Sequence, residues 1–288
     1  MLGRWKAVAL IGALIVSARG GCAQAHHWEA LYAFGDSYTD SGAGYVDGNG
    51  PTAVVYLASM LNIQFTYAGD PQSAGKSLNF AISDAHTGGS DGYRIRPASA
   101  TCGSDEAWFG RGMQNQVADF VQRVKGGAIK FNPETTLFFI AGGLNDQAVR
   151  TARSISNLEN EVQTLYASGG RYFLIALLPT TIPPFREVGL RLNPALAQVP
   201  RELGSSIPGI HIALSEWGKY FDGVLENPAP YGITNTTDQC AGRAILGEDP
   251  TSCATPDRYF YYHEGHPSTA VQRIVAREME RDLGKLFP

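Results

Sequence analysis

Short apolar runs alternate with longer segments of helical periodicity along most of this 288-residue chain. The runs end at glycine, proline or polar residues and therefore predict buried strands. They are Leu31–Phe34, Leu78–Ile82, Thr136–Ala141, Tyr172–Leu178 and Ile210–Leu214. Apolar positions at helical spacing predict helices over Thr52–Leu61, Met113–Val124, Ile155–Ala167, Trp217–Leu225 and Thr269–Leu286. This alternation favours an α/β fold, a three-layer α/β/α sandwich with a central, mostly parallel sheet of about five strands.

The amino-terminal segment has a different pattern from the rest of the chain. Two basic residues precede the apolar run Ala7–Val16, and Ala23-Gln24-Ala25 supplies the small residues of a cleavage site. This pattern predicts a secretory signal peptide over residues 1–25, followed by a single domain over residues 26–288. The apolar run is too short for an ordinary membrane anchor, although Cys22 leaves a lipid-modified amino terminus as an alternative. We therefore expect a secreted or periplasmic protein without stable membrane insertion.

The net charge and the cysteine spacing argue against two kinds of protein, those that bind nucleic acid and those that bind zinc. The formal net charge is −4, with 23 basic and 27 acidic residues, and removal of residues 1–25 deletes three basic residues, giving 20 − 27 = −7. A mildly acidic chain is a poor partner for nucleic acid. Three cysteines remain after cleavage, and we expect Cys240 and Cys253 to pair and Cys102 to stay unpaired. No Cys-x-x-Cys or His-x-x-x-His spacing suggests zinc, so we expect no metal.

Two apolar runs end in residues that are able to carry out chemistry. Leu31–Phe34 leads into Gly35-Asp36-Ser37, which places a serine where open α/β sheets bind their ligands. The alternative is an ordinary turn. Thr136–Ala141 leads through two glycines to Asn145, whose amide is able to donate a hydrogen bond to a developing oxyanion. The alternative here is a turn or a helix cap.

A histidine opens the last predicted helix. His266 precedes Pro267, which suits the first turn of a helix and places the imidazole at the mouth of a loop. Three groups are candidates for orienting that imidazole: the side chain of His263, the side chain of Glu264 and a backbone carbonyl. His263 and His266 also resemble a pair of metal ligands, but the sequence offers no third ligand.

These segments, taken in order, resemble four sequence blocks of the GDSL or SGNH hydrolases, which are serine esterases and lipases. The first block contains Ser37, and Asn79-Phe80-Ala81-Ile82-Ser83-Asp84-Ala85 resembles the second. Gly143-Leu144-Asn145-Asp146 matches the third block, and His266-Pro267 matches the last. The resemblance implies a flavodoxin-like sheet, Ser37 as nucleophile, His266 as general base and no cofactor. It also implies an oxyanion hole built from the N–H groups of Ser37 and Asp84 and the amide of Asn145.

Two positions depart from the family pattern. Asp84 stands at a glycine position, and its carboxylate would repel a forming oxyanion unless it points away or is paired. His263 stands where the family has the aspartate that orients the catalytic imidazole. We therefore expect a Ser37–His266 pair whose third member is His263, Glu264 or a backbone carbonyl.

The expected activity is that of a secreted serine esterase that releases short acyl groups, such as acetyl, from esters that include carbohydrates. One alternative is a lipase or phospholipase, and another is a degenerate member of the fold that only binds its ligand. The stretch Gly88–Gly112 contains aromatic residues beside arginines and is predicted to be a lid that stacks on a sugar, or else a tethered surface loop. We expect a monomer whose partner is a small-molecule, glycan or lipid ester.

Overall fold

The predicted apolar runs form five of the six strands of a parallel sheet in a computed structural model that describes residues 26–95 and 107–288. The predicted signal peptide with Cys22, and also Cys102, lie outside the described residues. The main sheet contains β1 (Ala30–Gly35), β2 (Phe65–Tyr67), β3 (Ser77–Asn79), β6 (Thr136–Ala141), β7 (Tyr172–Ala176) and β8 (His211–Ser215). Its strand order is β2-β3-β1-β6-β7-β8, and all neighbours are parallel. The carboxyl ends of its strands therefore lie along one edge.

Helices cover both faces of this sheet. They are α1 (Ala53–Met60), α2 (Met113–Lys125), α3 (Thr151–Ala167), α4 (Arg186–Leu196), α5 (Val199–Ser206), α6 (Trp217–Glu226) and α7 (Thr269–Leu286). One layer contains α1, α6 and α7, which contact one another through α7, and α3 contacts α2, α4 and α5 in the other. The predicted three-layer α/β/α architecture is confirmed. Within the described ranges, no helix is both long and apolar enough to cross a membrane.

The sheet has six strands, whereas the sequence predicts about five. The additional strand, β2, is three residues long and half-buried, so it lacks the apolar run that marks the others. Strand β3 ends at Asn79, so the predicted run to Ile82 is longer than the strand, although the N–H groups of Phe80 and Ile82 still donate to carbonyls of β1. Helices α4 and α5 were not predicted, since Pro194 lies inside α4 and a second proline lies in the first turn of α5.

Two small sheets lie outside the main one. The first is the antiparallel pair β4 (Asp91–Ile95) and β5 (Ala107–Arg111), which forms part of the predicted lid. The second contains β9 (Asn235–Gln239), β10 (Tyr259–His263) and β11 (His266–Pro267). Strands β10 and β11 form a hairpin in which His263 is paired with His266, and its turn is Glu264-Gly265. His266 and Pro267 therefore lie in a strand, and α7 begins only at Thr269, so the prediction that Pro267 stands in the first turn of the helix is wrong.

The predicted disulfide is confirmed: Cys240 is bonded to Cys253. The bonded loop lies against β10, because the N–H of Cys240 and that of Ala241 donate to the Tyr262 carbonyl at 3.0 and 2.9 Å. The disulfide therefore braces a loop directly beside the hairpin that carries His266.

Replacing Cys253 by serine is expected to lower the free energy of unfolding by about 2–3 kcal/mol, the range for a short closed loop. Urea unfolding of the oxidised protein measures this change. Cys102→Ser is the matched control, because it also replaces a cysteine by serine and leaves both cysteines of the Cys240–Cys253 bond in place. Equal stability of Cys253→Ser and the control would contradict the expected bracing role.

Candidate active site

Ser37 lies in a tight turn directly after β1. Gly35, the last residue of β1, lies opposite Ala141 of β6. A β-carbon on Gly35 would overlap the Ala141 carbonyl oxygen, so the close approach of the two strands requires glycine here. The Gln116 side chain binds both backbone groups of Gly35, accepting from its N–H at 3.0 Å and donating to its carbonyl at 2.9 Å. The N–H groups of Thr39 and Asp40 then donate to the Asp36 carbonyl. The turn holds Ser37 in a fixed, buried position.

His266 lies within hydrogen-bond distance of this serine. The Ser37 hydroxyl oxygen is 2.9 Å from Nε2 of His266, and Nδ1 is 2.8 Å from the backbone carbonyl oxygen of Glu264. A carbonyl oxygen only accepts hydrogen bonds, so Nδ1 carries the ring proton and Nε2 is left to accept from the serine hydroxyl. This is the arrangement that a general base for Ser37 requires.

A tyrosine next to the serine ties the two turns together. The Tyr38 hydroxyl donates to the Gly265 carbonyl at 2.5 Å, and the Tyr38 ring packs 5.6 Å from the His266 ring. Tyr38 is itself buried among aromatic residues of the core. The relative position of Ser37 and His266 is therefore fixed by the core as well as by their own hydrogen bond.

The second block lies beside the first. The Asn79 amide donates to the Thr39 carbonyl at 2.6 Å, and the N–H of Ile82 donates to Gly35, so this segment follows the turn that contains Ser37. Asp84 has a φ of 64°, a left-handed conformation that glycine adopts without strain and aspartate tolerates. This backbone conformation accounts for the glycine that the family has at this position.

The Asp84 carboxylate is half-buried, and one of its oxygens lies beside Gly110, where an added β-carbon would be 3.6 Å away. Burial raises the pKa of this carboxyl, while the charges of His86 and Arg243 act in the opposite direction. The backbone N–H of Asp84 remains available whatever the charge of its side chain.

Asn145 is held by the second block. Its side-chain N–H donates to the Ala85 carbonyl at 3.0 Å. The neighbouring Asp146 carboxylate accepts from the N–H and the hydroxyl of Thr87 at 3.1 and 2.6 Å. Because one amide hydrogen of Asn145 is used in this way, the amide is fixed in orientation and its second hydrogen is left for a ligand.

These side chains line one cavity of about 310 Å³. Its lining comprises Ser37, Ser83, Asp84, Asn145, Pro184, Phe185, Arg243, Leu246, Glu264 and His266. In the described part of the chain, the backbone N–H groups of Ser37 and Asp84 have no hydrogen-bond partner. Two unpartnered N–H groups and the fixed Asn145 amide thus belong to residues of one small cavity, which is the donor set of an oxyanion hole.

The group that orients the imidazole is the backbone carbonyl of Glu264, which is one of the three candidates that the sequence offers for the third member of the site. The Glu264 side chain is exposed, and among the described residues its carboxylate forms no hydrogen bond. His263 does not contact Nδ1 of His266; its own Nδ1 lies 3.5 Å from a carboxylate oxygen of Asp47.

Asp47 is a site residue that the sequence analysis missed, together with Arg243. Asp47 is buried and accepts from the Ser83 hydroxyl at 2.5 Å. Arg243 contacts both carboxylate oxygens of Asp47, through Nε at 2.6 Å and Nη2 at 3.0 Å. Both residues lie in loops, where no periodic pattern marks them. The sequence contains one indirect signal: position 263 has no acid, so an acid of the site would have to come from another part of the chain.

The surroundings of His266 favour its neutral form. Burial lowers the pKa of the imidazole, the Asp47 carboxylate raises it, and the Arg243 guanidinium lowers it again, which leaves the pKa below its ordinary value. The imidazole is therefore ready to accept a proton at neutral pH. Within the described residues, no group of three or more histidine, cysteine or acidic side chains is arranged to hold a metal ion.

Known proteins provide an independent comparison. The sequence profile described as GDSL-like Lipase/Acylhydrolase matches residues 31–279. An acetylesterase of Thermothelomyces thermophilus is 24% identical, over 92% of this chain and 94% of that protein. A GDSL esterase/lipase of Arabidopsis thaliana is 20% identical over 36% of this chain, and the aligned part spans only 31% of that relative.

Solved structures with a similar chain path are more distant in sequence. An acetylxylan esterase from Geobacillus stearothermophilus, solved as a catalytic mutant, is 16% identical with a TM-score of 0.49, covering 89% of this chain and 94% of that one. A lipolytic G-D-S-L family protein from Veillonella parvula is 14% identical with a TM-score of 0.46, covering 87% and 95%. Since the family profile covers most of the sequence, the chain belongs to the GDSL-like lipase/acylhydrolase family of carboxylic ester hydrolases.

Proposed function

We propose that this protein hydrolyses esters of short acyl groups, such as acetyl, with Ser37 as nucleophile and His266 as general base. The observation that carries the proposal is the 2.9 Å contact between the Ser37 hydroxyl and Nε2 of an imidazole whose Nδ1 is held by the Glu264 carbonyl. A serine hydroxyl is a weak nucleophile until a base in this position takes its proton.

The reaction follows from this geometry in two halves. Ser37 transfers its proton to Nε2 of His266 as its oxygen attacks the ester carbonyl carbon. The resulting oxyanion accepts from the N–H groups of Ser37 and Asp84 and from the Asn145 amide. His266 then gives the proton to the leaving alcohol, which breaks the ester bond and leaves an acyl group on Ser37. Water then gives a proton to His266 and its oxygen attacks the acyl carbon. His266 returns that proton to the Ser37 oxygen as the acyl–serine bond breaks, which releases the carboxylic acid and restores the serine.

Two observations support a short acyl group. The cavity volume of about 310 Å³ lies at the lower end of the range for small-molecule sites. A relative that aligns with 92% of this chain is an acetylesterase. For the alcohol part we propose a carbohydrate, because Trp108 of β5 lies among arginines on the hairpin β4–β5, with Arg94 at 4.2 Å, and Tyr93 is 56% exposed there.

We propose further that the protein acts outside the cytoplasm, as a monomer. A disulfide and a signal-like amino-terminal pattern favour a secreted or periplasmic location.

The test is hydrolysis of p-nitrophenyl esters of increasing acyl length, followed by acetylated xylo-oligosaccharides. We expect kcat/KM to be highest for the acetate and to fall with each added methylene, by about tenfold or more overall up to the octanoate. Labelling of Ser37 by a fluorophosphonate is expected in the same preparation. A preference for long chains would support a lipase instead. Absence of both turnover and labelling would support a protein that only binds its ligand.

A further inference from the structure

We propose that Asp47 supplies the negative charge that this site lacks at position 263, and that Asp47 and Arg243 together set the protonation of His266. The inference rests on the proposed function, in which His266 is the general base. Asp47 acts through His266 and is therefore a positioning residue for the reaction, not a catalytic one.

In the family's sequence pattern the acid stands three residues before the catalytic histidine. Here that position is His263, and its Nδ1 is 3.5 Å from Oδ1 of Asp47. The other oxygen of Asp47, Oδ2, lies 3.9 Å from Nε2 of His266. Both histidines of the hairpin therefore face one carboxylate, which comes from the loop between β1 and α1.

The surroundings of Asp47 keep it charged. Burial alone would raise its pKa, but His266, His263 and Arg243, together with the hydroxyl of Ser83, outweigh that effect and hold the pKa well below its ordinary value. The carboxylate is therefore ionised throughout the pH range in which an esterase is assayed.

Asp47 stabilises the charged form of His266. When Nε2 takes the serine proton, a positive charge develops 3.9 Å from Oδ2 in a buried site, where the attraction is screened less than in water. In the Ser-His-Asp arrangement the acid both fixes the tautomer and stabilises the imidazolium. Here the Glu264 carbonyl performs the first task and Asp47 the second.

Arg243 opposes this effect. It reaches Asp47 from the loop closed by the Cys240–Cys253 disulfide, where its N–H donates to the Glu248 carboxylate at 2.7 Å. Its guanidinium is paired with Asp47 and repels a proton on His266. The two side chains thus shift the pKa of His266 in opposite directions, and the balance between them keeps the imidazole a usable base.

The test must consider every charged or titratable group around His266. Those groups are Asp47 on the β1–α1 loop, Arg243 on the disulfide loop, His263 on β10, Glu264 in the hairpin turn, Tyr38 after β1 and Asp84 after β3. Only Asp47 and Arg243 are changed in the experiment. The other groups are the same in all four proteins, so their effect on the His266 pKa is common to every titration.

The measurement is an NMR titration of the His266 imidazole in the full-length protein and in Asp47→Asn, Arg243→Gln and the double variant. We expect Asp47→Asn to lower the His266 pKa by about one unit, a tenfold change in proton affinity. Arg243→Gln should raise it by a similar amount, and the double variant should return near the wild-type value. The exposed His211, which stacks on Tyr172, serves as the reference within each spectrum.

Kinetics provide the second readout. The acid limb of the kcat/KM profile should move to lower pH in Asp47→Asn and to higher pH in Arg243→Gln. Asp47→Asn should also lower kcat at neutral pH by about tenfold to a hundredfold, less than the loss of about 10⁴ seen where the acid also fixes the tautomer. A purely structural role for the pair would lower the melting temperature without opposite pKa shifts.

The outcomes separate this inference from the proposed function. An unchanged or raised His266 pKa in folded Asp47→Asn would overturn the inference. If Asp47→Asn does not fold with Arg243 unpaired, Arg243→Gln and the double variant still decide the matter, since equal His266 pKa values in these two would overturn it. The titration needs no turnover, so loss of the proposed esterase activity would be recognised independently, by the absence of Ser37 labelling in the wild-type protein.

Discussion

Replacing Ser37 by alanine is expected to lower kcat for p-nitrophenyl acetate about 10⁶-fold, to a rate that a standard assay does not distinguish from spontaneous hydrolysis. The Ser37 hydroxyl forms the covalent bond in the proposed reaction. Among the described residues that line the cavity, the other side chain with a hydroxyl is Ser83. The hydroxyl of Ser83, also in the cavity, is hydrogen-bonded to Asp47. Among the residues that the structure describes, no side chain is therefore placed to substitute for Ser37.

The pattern across variants makes this result specific. Ser37→Ala, His266→Ala and the double variant should all lose a similar factor, because nucleophile and base act as one unit and their effects are not additive. Ser205→Ala is the matched control, since that serine is exposed on α5 and only binds the Glu202 carbonyl. Additive losses, or measurable turnover in Ser37→Ala above the control reaction, would mean that another group attacks the ester.

The sequence predicts the interior of the fold well and its margins poorly. Buried parallel strands such as β6 and β7 are continuous apolar runs, so their existence and their positions along the chain are visible directly. Strand β2 is half-buried at the sheet edge and gives no such run. Helices α4 and α5 each contain a proline. Proline is typical of loops and helix ends, so the sequence did not predict these two helices.

The active site likewise contains residues that the sequence predicts and residues that it does not. Ser37 and Asn145 follow buried strands, and His266 lies just before a long amphipathic helix, so each is close to an element that the sequence reveals. Asp47 and Arg243 are brought together across 196 residues by two irregular loops, one of them closed by the disulfide. No local pattern encodes such a contact. The departure at position 263 showed that the acid was missing, but only the folded structure shows which carboxylate lies beside His266.

Replacing Asn145 by alanine is the second large effect, and it tests the oxyanion hole without touching the nucleophile or the base. The Asn145 amide is fixed by the Ala85 carbonyl at 3.0 Å, so its free hydrogen is oriented before the substrate binds. A donor held in this way stabilises the transition state far more than the bound ester, and its loss typically costs about 10²–10³ in kcat. We therefore expect that loss in kcat with little change in KM.

Asn145→Asp is the matched variant for this prediction, because it keeps the shape of the side chain and replaces the donor by an acceptor that repels the oxyanion. Its kcat should be at least as low as that of Asn145→Ala. Fluorophosphonate labelling and the melting temperature of both variants show whether Ser37, His266 and the fold are intact. A kcat near the wild-type value in folded Asn145→Ala would remove this residue from the oxyanion hole and leave the N–H groups of Ser37 and Asp84 as its donors. A raised KM at unchanged kcat would instead mean that Asn145 binds ester and transition state equally.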